Sequence, residues 1–199
     1  MTERPILFSG PMVRAIIEGR KTVTRRVAKP VKHPDLGNIY APGALVLEHE
    51  PQHVIDRACP YGQPGDRLWV RETFAVYGDE KFAAIHYRAD RPHDVGRKGV
   101  GYKPSIHMPR WVCRILLEIT AVRVERLQDI SEDQAEAEGT QGCVPYCQSP
   151  YDSDGAPACD CMNLTYKESF QALWSSINGA NSWAANPWVW VVEFKRVMP

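Results

Sequence analysis

Between positions 111 and 126 apolar and charged residues alternate: Val112, Ile115, Leu117, Ile119, Val122 and Val124 sit among arginines and glutamates. Side chains of a strand point to opposite faces at each step, so the alternation predicts one long half-buried strand or a bent pair. Trp188–Val197 (WVWVVEFKRV) reads as a final strand. Shorter strand candidates lie at 4–8, 44–48, 67–74 and 82–87. Pro11 suits the first turn of a helix in which Met12, Ala15 and Ile16 recur at helical spacing and which Gly19 ends. Ser131, with acids behind it, opens a second helix through Glu138, stopped by Gly139. Residues 164–177 form a third, amphipathic helix. The stretches 29–43, 89–105 and 140–163 read as loops, and 61–66 as a turn. Many strands and few helices in 199 residues predict an α+β fold, a small mixed-sheet β-barrel with helices packed outside.

At this length one domain with insertions is expected. Hydrophobic residues make up 44%, enough for a core and too many for disorder. The formal net charge of zero disfavours coating of long nucleic acid. Charge is nonetheless uneven: 14–32 and 88–114 are basic, and 125–138 is acidic. The first residues lack a basic start followed by an apolar run, and no stretch is apolar enough to span a membrane. A cytoplasmic chain is expected, its cysteines reduced or metal-bound rather than paired.

Four groups of residues bear on chemistry. The run Glu18-Gly-Arg-Lys-Thr-Val-Thr-Arg-Arg26 sets a lysine and two threonines among three arginines. Threonine needs a base beside it to act as a nucleophile, and lysine becomes that base when burial or positive neighbours lower its pKa. The alternative is a helix C-terminus whose cations complement the helix dipole. Glu138 is either a site carboxylate or one more solvated acid of its helix. Cys143, Cys147, Cys159 and Cys161 lie in one polar loop and can close a tetrahedral structural zinc site, or remain unligated thiols. Four thiolates would leave no open position on such a metal. His107, Arg110 and Trp111 place an imidazole, a guanidinium and an indole together, as a base-stacking group or as a strand start with Trp111 in the core. Cys59 and Cys113 read as core or near-core residues. Trp183, Trp188 and Trp190 read as core. No Gly-rich phosphate loop, nucleophile-elbow serine or His-Glu-x-x-His motif is present, which argues against nucleotide-hydrolysing, serine-hydrolase and zincin readings.

Gly19-x-Lys21-x-x-Thr24-x-Arg26 resembles the signature of the ASCH family in the PUA-like superfamily, usually Gly-x-Lys-x-x-Glu-x-Arg. Thr24 stands where many members carry Glu, which resembles the bacterial subset that acts as N(4)-acetylcytidine amidohydrolases. The segment from Pro64 to Glu72 (PGDRLWVRE) resembles the family's Gly-Asp strand, and the final strand matches as well, so the resemblance covers most of the chain. It is greatest to longer ASCH proteins of phages and prophages, with insertions near 29–62, 88–110 and 140–163.

The resemblance implies a single PUA-like domain over 1–199. It implies catalytic Lys21, Thr24 and Glu138, and no metal for the chemistry. Arg20 and Arg25 would supply supporting charge. Arg26, Glu72, His107, Arg110 and Trp111 are the candidate substrate-binding residues, and a modified nucleoside or a nucleic acid is the expected partner. A binding module for RNA or modified bases, and a ribonuclease, are the alternatives.

Overall fold

The computed structural model describes residues 1–78, 84–91, 101–140 and 164–198. Its centre is a five-stranded sheet of β1 (Glu3–Leu7), β2 (Val23–Val27), β5 (Arg67–Arg71), β8 (Leu116–Arg126) and β9 (Trp188–Val197), in the order β1-β5-β8-β9-β2. β1 runs parallel to β5, and the other pairs are antiparallel. Two small hairpins complete the strands: β3 (Val31–Lys32) with β4 (Ile39–Tyr40), and β6 (Phe74–Tyr77) with β7 (Ala84–Tyr87). The helices are α1 (Gly10–Ile17), α2 (Ala44–Leu47), α3 (Gln52–Ala58), α4 (Glu132–Ala137) and α5 (Tyr166–Asn178). The α+β class is as expected. Among the described residues the five strands do not close into a ring: β1 and β2 remain the two edges.

The long alternating run is one strand with a fault in it. Along the β8–β9 ladder Ile119 pairs with Phe194 and Ala121 with Glu193, which leaves Thr120 as an extra residue. Such a bulge moves the alternation by one position. Leu117 and Ile119 therefore face the main core before it, and Val122 and Val124 face the same core after it. The neighbouring β9 is buried on both faces, which explains its nearly unbroken apolar sequence. Trp190, Val192 and Phe194 join the main core. Val189 and Val191 join a second core with Phe170 and Trp174 of α5 and Ala135 of α4.

Several boundaries differ from the sequence expectation. The long strand begins at Leu116. Before it, residues 105–107 and 110–112 form two short 3-10 turns, with Met108 and Val112 buried against Phe74. Trp111 points outward and is 48% exposed, so it is neither a strand start nor a core residue. The expected 67–74 strand stops at Arg71, and β6 begins at Phe74. Of the 82–87 run, Ala84–Tyr87 is strand and positions 82 and 83 lie outside the described residues.

The 44–48 run, expected as a strand, is the helical turn α2. Gly43 enters it at φ +84°, and a Cβ there would lie 2.2 Å from the Trp188 indole. The turn tucks Leu45 into the main core, which outweighs the β propensity of its apolar residues. The 29–62 segment contributes Tyr40, Leu45, Val54, Ile55 and Cys59 to that core. Trp190 is buried, with Trp188 packed beside it and Trp183 against the second core. No helix among the described residues is long and apolar enough to cross a membrane.

Gly43→Ala combines a left-handed backbone with a clash against Trp188. It is expected to destabilise the fold by about 2–4 kcal/mol, read as a lower urea midpoint.

Candidate active site

The basic run leaves α1 through Gly19, whose φ of +78° turns the chain, and enters β2 at Val23. There the end of α4 meets it. Lys21 and Glu138 form an antiparallel backbone bridge, and Thr22 N–H donates to Ala137 O at 2.9 Å. The approach is close enough to require a glycine after Glu138. A Cβ on Gly139 would lie 2.8 Å from the Cβ atoms of both Ala15 and Lys21. The helix is set by its own ends: Ser131 and Gln134 form a reciprocal capping box, and Glu138 is the C-cap.

This junction buries Lys21 and Glu138 together. The Lys21 side chain is fully buried and that of Glu138 is 4% exposed. Lys21 Nζ donates to Val23 O at 2.8 Å, to Glu138 O at 2.9 Å and to Glu138 Oε2 at 2.5 Å. An ammonium has three N–H donors, and here each has its acceptor. The solvated alternatives for Lys21 and Glu138 are thereby set aside. Burial pulls the Lys21 ammonium below its usual range. The Glu138 carboxylate opposes that shift, and Arg26 and Arg25 add to it.

Thr24 is buried one residue into the β2 pairing, opposite Val192. Alternation puts Thr24 and Arg26 on the side of the main core, and Val23 and Arg25 on the side of α4 and α5. The three donors of Lys21 are all spent elsewhere, so Lys21 and Thr24 are not hydrogen-bonded in this arrangement. Arg26 lies over the Phe8 ring at 5.4 Å and donates from Nη2 to Leu7 O at 2.6 Å, which bridges the two edge strands of the sheet. Lys21 Nζ lies over the same ring at 5.6 Å.

Sequence reasoning gave Arg25 the lesser role of supporting charge. Its side chain is fully buried and stands in the middle of the network. Nη1 donates to Glu138 Oε1 at 3.3 Å, Nη2 to Glu125 Oε1 at 2.7 Å and to Gln134 Oε1 at 2.9 Å, and Nε to Glu125 Oε1 at 3.1 Å. Glu125 is held in turn by Arg123 at 2.9 Å. Glu125 and Gln134 were not singled out either. The signal was present in the spacing: Gln134 and Glu138 stand four residues apart on one helix face.

The remaining candidates lie elsewhere. Glu72 is 1% exposed and accepts a two-pronged pair from Arg114 at 2.8 and 3.0 Å. Burial raises the Glu72 pKa, and Arg114 offsets part of that rise. Arg114 also pairs with Asp90 and lies 3.8 Å from the centre of the Tyr87 ring. Buried Glu72 is thus committed to an ion pair with half-buried Arg114. His107 and Trp111 are exposed on the 3-10 turns, and exposed Arg110 pairs with Glu3 at 2.9 Å. These turns are tied to the sheet because Arg71 Nη2 donates to Ile106 O. Cys143, Cys147, Cys159 and Cys161 lie outside the described residues. Cys59 is buried and Cys113 is half-buried, as expected. A cleft of about 480 Å³ opens beside the junction, lined by Arg20, Thr22, Asp133, Glu136, Ala137 and Tyr166 among others. The side chains of Lys21, Thr24 and Glu138 do not line it.

The lowered Lys21 pKa makes a signed prediction. Between the folded value and the ordinary lysine value the unfolded chain binds the extra proton, so the Lys21 contribution to stability rises with pH in that window. The stability of the wild type relative to Lys21→Met is therefore expected to increase as pH rises from neutrality toward the ordinary lysine range, in urea unfolding at stepped pH. A flat difference contradicts it. Set against protein-family models, curated proteins and solved structures, the chain matches none of them.

Proposed function

We propose that the chain is an ASCH-type, PUA-like amidohydrolase that removes an acyl group from the exocyclic amine of a modified cytosine nucleoside such as N(4)-acetylcytidine. The observation that carries this reading is the buried Lys21–Glu138 contact of 2.5 Å at the mouth of the strand that holds buried Thr24. A lysine pulled down by burial, near a threonine and a carboxylate, has the composition of an activated-nucleophile site. The barrel reading draws support from the two sheet edges joined through Arg26 and Leu7, as at an incompletely zipped seam.

The chemistry divides into two acyl transfers. Neutral Lys21 keeps two N–H donors for two of its present acceptors and turns its lone pair to Thr24 Oγ1. It takes the hydroxyl proton as Oγ1 attacks the amide carbonyl. The oxyanion is met by Arg26 or by backbone N–H groups. The C–N bond breaks, the amine leaves with a proton from the Lys21–Glu138 pair, and the acyl group remains as an ester on Thr24. Water then attacks the ester and gives one proton to the pair, the pair passes it to Thr24 Oγ1 as the ester C–O bond breaks, and the acid leaves as carboxylate with its remaining proton lost to solvent.

A second reading has its own observation. Exposed His107, Arg110 and Trp111 stand on turns anchored by Met108 and Val112, an arrangement suited to stacking a base without cutting it. A salt-dependent shift with RNA or DNA oligonucleotides, without product, favours that reading.

The test of the first reading is a mass-spectrometric screen of acylated nucleosides. The wild type is expected to release the free amine. Lys21→Ala and Thr24→Ala are each expected to lose about 100-fold or more in kcat/KM. Retention of wild-type rates by both variants overturns the reading.

A further inference from the structure

The Lys21–Glu138 pair is held from behind. Gln134 of α4 and the C-cap Glu138 stand one turn apart on one face, and the fork of Arg25 reaches both, at 2.9 and 3.3 Å. Gln134 Oε1 also accepts from Ser131 N–H at 3.1 Å, so the same oxygen joins Arg25 to the start of the helix. On its other side Arg25 is anchored twice on Glu125 Oε1, and its guanidinium lies 5.9 Å from the centre of the Phe170 ring. A planar guanidinium fixes the directions of its donors as an ammonium cannot. With Oε1 of Glu138 taken by Arg25, Oε2 is the oxygen left to meet Lys21.

We infer that Arg25 is the positioning residue of this site, holding Oε1 of Glu138 together with Gln134 so that Oε2 is aimed at Lys21. The inference rests on the reading of Lys21 as the base for Thr24. Arg25 acts through Glu138 and has no part in bond making. It also acts by charge. The charged groups facing Lys21 are Glu138 at the end of α4 and Arg25 and Arg26 on β2, with the Phe8 ring beyond. Both arginines push Lys21 toward its neutral form, and Arg26 stays in place when Arg25 is changed. Burial remains the larger cause of the lowered Lys21 pKa, so loss of the Arg25 charge removes one part of that lowering and moves Lys21 upward.

The experiment uses the full chain with Arg25→Gln and Arg25→Lys. The ionisation of Lys21 is followed by NMR of its labelled side chain, beside pH profiles of kcat and KM on N(4)-acetylcytidine and thermal unfolding. In Arg25→Gln the Lys21 midpoint and the matching limb of the kcat profile are expected to move to higher pH. kcat is expected to fall about tenfold or more with KM little changed. Arg25→Lys keeps the charge and loses the fork, so its midpoint stays near wild type while kcat still falls. A Lys21 midpoint in Arg25→Gln that coincides with wild type, whatever happens to Tm, overturns the inference. If Arg25→Gln does not fold, Arg25→Lys decides: a wild-type kcat overturns the inference and a lowered kcat with an unmoved midpoint supports it. If the wild type hydrolyses no acylated nucleoside, the proposed reaction fails, and the NMR titration alone decides the role of Arg25.

Discussion

Two charges removed from water at the meeting of α4 and β2 set the terms for this part of the molecule. Desolvating an ammonium and a carboxylate costs several kcal/mol each, and geometry has to return it. Lys21 meets that condition with three acceptors, and Glu138 with a cation on each oxygen. The arrangement demands a glycine at 139, a backbone bridge between Lys21 and Glu138, and a capped short helix that brings its last residue to the strand. Removing one partner of such a pair typically costs about 3–5 kcal/mol, because the other charge is left buried. Arg25 would still hold Glu138 after loss of Lys21, which places that change toward the lower end.

The same contacts serve stability and the proposed chemistry, and the two make different demands. A saturated ammonium is a staple; a base must give up a proton and turn. Burial and the flanking arginines ease the first step, and the Glu138 carboxylate opposes it. The junction is closed, and the side chains of Lys21 and Glu138 do not line the adjoining cleft.

Strands with strong periodicity were legible in the sequence, and two of its candidate residues, Lys21 and Glu138, meet in the structure. The β8 alternation and the apolar β9 run mark the sheet centre, and the shift from Ile119 to Val122 in the alternation was the trace of the Thr120 bulge. The α2 turn was misread because four apolar residues carry no period, and what fixes them is a distant contact between Gly43 and Trp188. The α3 helix escaped because seven residues behind Pro51 present just Val54 and Ile55 as buried apolar positions. Arg25 was underrated for a related reason. Its importance comes from partners 100 to 113 positions away, and nothing local to the run distinguishes it from Arg20, which pairs with Glu18 at the surface.

The central claim is that the Lys21–Glu138 pair serves a nucleophilic Thr24. The most direct measurement is intact-protein and peptide mass spectrometry after rapid quenching of the wild type with an N-acylated cytidine. The account predicts one transient acyl group on the peptide that contains Thr24. Hydrolysis at the same rate with no acyl group on the protein at any time point would contradict it.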